Sequence, residues 1–374
     1  MLLFITRKYP PSVGGMQRLS YHVTTGVAAR EPAVIIVWGG SQKWLPLFIP
    51  YAAVKALWLC ITQSVDLIHL GDLVLAPIGL FLQAFTRLPV IATAHGLDVI
   101  FPNRLYQALI LPCARRMDFV ICISEHTQRQ CLSRGIDRAR TAVIPVGIDA
   151  YAFRQSIGDA ERRTWLARWA IDLDCVQSPR ILLTAGRLVP RKGVRWLVSE
   201  VLPRLAERRA DWIYLVVGEG PERQAIAEAA ARDPSIAQRV HLLGQTSDDD
   251  LRMAYASADL FVMPNVPVPG DSEGFGIVHL EARAAGLPVV AADIEGISES
   301  FVTEDGLLVP AGDVMAFVDA IDLLSKGLSP EERRCRSARI AARYDWSRII
   351  DTYCHTFSEI RARIVRKEVS DRHD

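Results

Sequence analysis

Residues 260–291 read Leu260-Phe-Val-Met-Pro-Asn-Val-Pro-Val-Pro-Gly-Asp-Ser-Glu-Gly-Phe-Gly-Ile-Val-His-Leu-Glu-Ala-Arg-Ala-Ala-Gly-Leu-Pro-Val-Val-Ala291. The opening apolar run ends at Pro264, which has no N–H to give to a sheet, so a strand closes there. A Pro/Gly-rich loop leads through Ser272 into Glu273-Gly-Phe-Gly, and a helical segment follows through Glu281-Ala-Arg-Ala-Ala285. Gly286-Leu-Pro288 then stops the helix and opens a second apolar run. Strand, helix and strand in about thirty residues form the repeating unit of a parallel α/β sheet.

The same alternation runs through the chain. In the first half the strand candidates are Leu2–Thr6, Val34–Trp38, Leu67–Leu70, Val90–Ala94, Phe119–Ile123 and Val143–Val146. In the second they are Ile181–Ala185, Ile213–Val217, Val240–Leu243, Leu260–Met263, Pro288–Ala291 and Leu307–Val309. Most are unbroken Val/Ile/Leu runs, as strands covered on both faces require. The two sets predict two Rossmann-like domains, residues 1–150 and 179–345, facing each other across a cleft. Residues 151–178 are polar and read as a linker with a short helix. After Leu328-Ser-Pro the pattern is helical to the end, the final fifteen charged residues fraying. Its stretch at about 346–365 is expected to pack back on the first domain.

The 374 residues carry a formal net charge of +1, which conceals an asymmetry. Residues 1–150 hold 14 Lys/Arg against 8 Asp/Glu, and the remainder hold 29 against 34. A basic half implies an anionic neighbour, phosphate or lipid, or simply a solvated surface. Nothing in the pattern reads as nucleic-acid binding. Seven cysteines, odd in number and never spaced C-x-x-C, argue against a disulfide framework and fit buried thiols in a reducing compartment. The apolar N-terminus is too short for a signal peptide and reads as the first strand. Trp44–Thr62 contains one charge, Lys55. Pro46 and Pro50 break its first part, leaving a helix from about Pro50 to Gln63. It is either an interfacial element that seats the protein on a membrane or a helix apolar all round because it is buried.

Chemistry concentrates around Glu273. Gly274 and Gly276 let a ligand approach the helix N-terminus, where the amides of Phe275, Gly276, Ile277 and Val278 and the helix dipole favour a phosphate. Glu281 stands where a carboxylate can take two ribose hydroxyls, and Glu273 where it can accept from sugar hydroxyls. Taken singly, each glutamate is also a helix-start carboxylate of the ordinary kind. Arg187 follows a strand and Lys192 comes five residues later, so the pair can offset charge on a departing diphosphate. Gly14 and Gly15 close the loop after the first strand, with Arg18 one turn into the next helix. This is a second place where amides approach phosphate, or a structural tight turn. It is not the G-x-G-x-x-G fingerprint of dinucleotide binders. His95, ending a strand before Gly-Leu-Asp98, is a candidate for contact with the sugar. Asp98 could orient it or act near the acceptor. Asp172-Leu-Asp174 spells D-x-D but falls in the linker and reads as a turn or helix cap. Asp248-Asp-Asp250 starts a helix after Ser247.

The paired glutamates with seven residues between them resemble the E-x7-E motif of glycosyltransferase family 4. Ala185-Gly-Arg-Leu-Val-Pro-Arg-Lys-Gly193 is similar to that family's G-R-x-x-x-x-K-G segment. Val217-Gly-Glu-Gly-Pro221, Ser257-Ala-Asp-Leu260 and Asp305-Gly-Leu-Leu-Val309 follow in the family's order. So do Gly14-Gly15, His95-Gly-Leu-Asp98 and Ile144-Pro-Val-Gly-Ile-Asp149. The resemblance covers nearly the whole chain. It implies the GT-B fold and a retaining hexosyltransferase that needs no metal or other cofactor and uses a nucleotide-sugar as co-substrate. Arg187 and Lys192 would hold the donor diphosphate and His95 would touch the transferred sugar. The acceptor would lie near Gly15, Arg18, His95 and Asp98. The resemblance further implies front-face attack, with the leaving phosphate oxygen helping to deprotonate the acceptor, and domain closure would exclude water. Local wording around Glu273 is closest to phosphatidylinositol mannosyltransferases, favouring GDP-mannose over UDP-hexoses. With the basic first half, it points to a lipid-linked or oligosaccharide acceptor in surface-polysaccharide or glycolipid synthesis. A cytoplasmic enzyme, peripheral at the inner face of the cytoplasmic membrane, is expected. The stretch between Val34 and Leu67 is short where relatives often carry extra acceptor-side elements. Two rivals share the fold, a nucleotide-sugar epimerase and a non-catalytic binding subunit. The combination of Arg187, Lys192, both glutamates and His95 argues against each.

Overall fold

A computed structural model describes the chain except Val13, Ser156, Asp172, residues 174–178, Ser272, residues 302–305 and residues 371–374; within helices, the side chains of Gln42, Val365 and residues 367–370 are also left undescribed. The D-x-D segment, Cys175 and Asp305 therefore fall wholly or partly outside the described residues. The chain divides into two compact units, Met1–Gly147 with Trp346–Asp374, and Ile148–Asp345.

The first unit is built on six strands: β1 (Leu2–Thr6), β2 (Ala33–Val37), β3 (Leu67–Leu70), β4 (Val90–Ala94), β5 (Phe119–Cys122) and β6 (Thr141–Val143). All pair in parallel, in the order β2-β1-β3-β4-β5-β6. β1, β3, β4 and β5 are buried along their whole length, which explains their unbroken apolar sequences. The last strand is displaced from the sequence expectation: Thr141-Ala-Val pairs with β5, and the apolar Ile144 and Val146 lie past its end.

Four helices of this unit matter below: α1 (Gly15–Ala28), α2 (Leu45–Thr62), α3 (Ala76–Thr86) and α4 (Arg104–Ala114). The second unit contributes α5 (Asp159–Arg168), α6 (Asp248–Ser257), α7 (Ile277–Ala284), α8 (Glu295–Ser300) and α9 (Pro330–Tyr344), and α10 (Trp346–Ser370) returns to the first. The expected single C-terminal helix is two. Asp345 adopts extended backbone between α9 and α10 and bridges to Ile148. The helix α10 persists to Ser370, so the described part of the charged end is helical where fraying is expected, and residues 371–374 of that expectation lie outside the described residues. Its Phe357 packs on Phe4 and His69 of the first sheet. It approaches α1 so closely that a Cβ on Gly26 would meet Ile350 at 2.0 Å.

The helix α2 also departs from expectation. It begins at Leu45, because Pro46 lies in the first turn, where an N–H has no partner to lose, and Pro50 is accommodated only one turn further on. It is not buried all round. Phe48, Ala52, Ala56 and Leu59 enter the core, while Leu47, Tyr51, Val54, Trp58 and Ile61 are more than half exposed.

The second sheet comprises β7 (Arg180–Ala185), β8 (Trp212–Val217), β9 (Val240–Gly244), β10 (Leu260–Met263), β11 (Val289–Ala292) and β12 (Gly306–Val309). It too is parallel throughout, ordered β12-β11-β10-β7-β8-β9. In each sheet the winding reverses at one place, between β1 and β3 and between β10 and β7. Loops leaving the carboxyl ends of such strand pairs diverge and leave a crevice for ligand.

Candidate functional site

The switch point of the second sheet gathers the loops that the sequence singled out. The loop after β7 carries Arg187, Arg191 and Lys192, and the loop after β10 runs from Pro264 to Gly276. A Cβ on Gly193 would lie 1.8 Å from the carbonyl oxygen of Pro264, so glycine is what lets the two loops come this close, and the Val266 N–H donates to the Arg191 carbonyl beside it. This contact brings the Lys192 ammonium to 2.6 Å from the Glu273 carboxylate, each side chain only 12% exposed. Arg191 stands 3.8 Å from the same carboxylate and 3.4 Å from Asp271, and the Asn265 amide lies 3.4 Å from Glu273. Burial by itself pushes the Glu273 carboxyl up. Lys192 and Arg191 outweigh it and hold the group below the ordinary glutamate range. Arg187 is exposed and forms no ion pair with the described residues, so its guanidinium is available to an anion.

Gly276 caps α7 in left-handed backbone, with φ of 75°, and a Cβ there would meet Met263 at 2.7 Å. The first turn of α7 has neither an acidic side chain nor a side-chain cap, which leaves its amides to a ligand. The Phe275 side chain is itself core, near His279 and Tyr344. Glu281 is 3% exposed, and Tyr255 of α6 donates to it from 3.0 Å. His279, buried against Ser300, is pushed down to about 3 by burial first and by Arg283 next, and is neutral.

In the first unit, Gly14 caps α1 without a side-chain bond, and a Cβ on Gly15 would meet nothing within 4 Å. Arg18 lies one turn into α1. His95, at the end of β4, has its ring Nε2 2.8 Å from the Gly71 carbonyl. A carbonyl only accepts, so Nε2 carries the proton in this contact. Asp98 spends one oxygen on the His95 amide and the other on the Leu73 amide. It ties the ends of β4 and β3 together, and burial, with Asp72 adding to it, pushes its carboxyl up. Arg7 pairs with the buried Asp72 at 2.8 Å, joining β1 to the same cluster.

Sequence reasoning named Glu273, Lys192, Arg187 and Glu281 but missed Arg191, Asn265, Tyr255, Glu295, Arg7 and Asp72. Arg191 adjoins Lys192, and Asn265 is the second residue past β10, so both lie beside residues that the spacing already marks. Tyr255 and Glu295 are brought in from other helices and had no local signal.

Two parallel six-stranded units of this topology define the GT-B fold, the fold of a large class of glycosyltransferases. The chain belongs to that class by both of its domains: residues 13–151 match the Glycosyltransferase Family 4 model and residues 179–326 match Glycosyl transferases group 1. It is 26% identical over 340 residues to the GDP-mannose-dependent monoacylated alpha-(1-6)-phosphatidylinositol monomannoside mannosyltransferase of Corynebacterium glutamicum, covering 83% of this chain and 85% of the relative. It is 28% identical over 326 residues to the phosphatidyl-myo-inositol mannosyltransferase of Mycobacterium leprae, covering 86% and 80%. Among solved structures, Anabaena HepE in complex with UDP and glucose matches with TM-score 0.74 at 19% identity, over 96% of this chain and all of that one. Sucrose-phosphate synthase from Thermosynechococcus elongatus matches with TM-score 0.73 at 20% identity, over 96% and 99%. At these identities the structural likeness speaks to the fold.

Proposed function

We propose that this glycosyltransferase moves a hexose, mannose from GDP-mannose, to a hydroxyl of a lipid-linked or oligosaccharide acceptor, with retention and without a metal ion. The observation that carries the reading is the buried Glu273–Lys192 pair beside the open amides of α7. The amides of residues 275–278, Arg187 and Lys192 take the diphosphate, and their positive charge offsets what develops on it as the glycosidic bond breaks. That supply of charge from the protein is what supports metal independence. Glu281 takes the ribose hydroxyls. Glu273, kept ionised by its cations, positions the sugar and stabilises positive charge on its ring. The leaving phosphate oxygen helps to deprotonate the acceptor. His95 accepts from a sugar hydroxyl at Nδ1, and Gly15 and Arg18 serve the acceptor, with Asp98 holding His95 in place. The mannosyltransferase names of the relatives support mannose over other hexoses.

The lipid-linked acceptor is supported by the surface of α2, α3 and α4, which pack side by side. Residues 32–65, 73–97 and 99–117 contain no Asp or Glu, yet hold Lys43, Lys55, Arg87, Arg104, Arg115 and Arg116. Trp58, Ile61, Phe85, Leu105 and Leu109 are all more than half exposed there. An apolar face with only basic charge suits the surface of an anionic bilayer, with α2 lying in the interface while its other face stays in the core. This reading places the enzyme at the inner face of the cytoplasmic membrane.

A thermal-shift screen across GDP-, UDP- and ADP-sugars, followed by nucleoside diphosphate release with and without lipid acceptor, tests the assignment. Stabilisation by GDP-mannose and acceptor-dependent release of GDP are expected. Interconversion of the sugar without release would favour an epimerase, and stabilisation by none of the donors a binding subunit.

A further inference from the structure

The Glu273 side chain is held by Lys192 and Asn265, but its peptide is held from α8. The Glu273 N–H donates to the carboxylate of Glu295, and its carbonyl accepts from the Gly296 N–H at 3.3 Å. Gly296 presses so near that a Cβ on it would lie 2.2 Å from the Gly274 carbonyl oxygen. The far end of α8 is fixed as well. The Ser300 hydroxyl is 2.9 Å from His279 Nε2, and its carbonyl accepts from Arg283 at 2.7 Å. The short helix is thus a strut with one end on α7 and the other on the peptide of Glu273.

Glu295 pays a conformational cost to stand there. Its φ is +51°, left-handed backbone that glycine adopts freely and an L side chain does not. A strained side chain beside a reacting centre calls for a use of that side chain, and its contact supplies one. We infer that Glu295 is a positioning residue for the transfer: by fixing the peptide of Glu273 it sets where that carboxylate stands relative to Lys192 and the donor sugar. The inference rests on the reading of Glu273 as the group facing the sugar. Glu273 sits between a Pro/Gly-rich loop and two glycines, and among the described residues its peptide has no hydrogen-bond partner in that loop. A displacement of about 1 Å at such a group can cost about a hundredfold in rate.

The experiment compares Glu295→Ala, Glu295→Gly and Glu295→Gln by melting temperature and by kcat and KM for the donor selected in the screen. Ala and Gly both remove the acceptor oxygen and should lower kcat by roughly ten- to a hundredfold while donor KM stays within about threefold. Gly should melt above Ala, because the left-handed position suits it, without recovering turnover. Gln retains an acceptor oxygen and should stay within about fivefold of the parent. A Gln variant as slow as Ala, a Gly variant whose turnover recovers with its stability, or an Ala variant with parental kcat would each overturn the inference. Glu273→Ala, assayed alongside, separates the two layers. If it turns over normally the premise fails, whereas a slow Glu273→Ala with a parental Glu295→Ala removes Glu295 alone.

Discussion

The ammonium of Lys192 lies 2.6 Å from the carboxylate of Glu273, and the two groups leave β7 and β10, strands that are neighbours in the sheet but distant in sequence. The pair places a buried negative charge beside two cations, Lys192 and Arg191. Removing the cation exposes what burial does to the acid. In Lys192→Met, burial is opposed by the more distant Arg191 and the Asn265 amide, with the closest cation gone, so the Glu273 pKa rises. The acid limb of the kcat/KM profile, below the ordinary glutamate range in the parent, should move to higher pH, with turnover at neutral pH down by roughly a hundredfold. The linkage follows the same sign. A folded-state pKa below the unfolded value contributes stability above the unfolded pKa and loses it as pH falls through the folded one. The parent should therefore lose this contribution on acidification, and Lys192→Met should lose much of that dependence. A pH–rate profile and acid melts of both proteins check it.

Tyr255 bears on donor affinity rather than on the chemical step. Its hydroxyl orients Glu281 from a different helix, with ring packing against Phe153 and Phe261 that Tyr255→Phe preserves. Loss of a hydrogen bond to a charged group costs about 1.5–3 kcal/mol. Donor KM should rise by roughly tenfold with kcat little changed, the affinity for the nucleoside diphosphate falling in parallel, and Glu281→Ala should weaken diphosphate binding further. Calorimetric titration with the diphosphate distinguishes the two.

Trp58 and Ile61 stand on the exposed side of α2, away from Ala52 and Ala56 in the core. Replacing both with serine should leave the melting temperature and the soluble-donor kinetics close to the parent. The affinity read from cosedimentation with anionic vesicles at low salt should fall by roughly a hundredfold or more, since each of the two large apolar side chains, once buried, contributes about 1.5–3 kcal/mol. Parental sedimentation by the double variant, or a parent that stays in the supernatant, would count against a lipid-facing surface.

Much of this was legible in the sequence because parallel strands buried on both faces announce themselves as apolar runs, and glycines in left-handed turns mark where loops approach one another. All twelve strand candidates have a counterpart, displaced most at β6, where the pairing residues Thr141-Ala-Val are less apolar than Ile144 and Val146 beyond them. The helix α2 was misjudged because two prolines look like breaks until their place in the first turns is known. Uniform apolarity also hides which side is covered. Within the site, Glu273, Lys192 and Glu281 could be picked from spacing. Tyr255 and Glu295 could not, since their roles arise from helices that meet only in the folded unit.

The measurement that bears most directly on the account is a paired one on Glu273→Ala: kcat for transfer, and the dissociation constant of the nucleoside diphosphate. A carboxylate that faces the sugar rather than the nucleotide predicts turnover lower by roughly a hundred- to a thousandfold, with diphosphate affinity within about threefold of the parent. Equal loss of turnover and of affinity would contradict it and would make Glu273 a part of the nucleotide site.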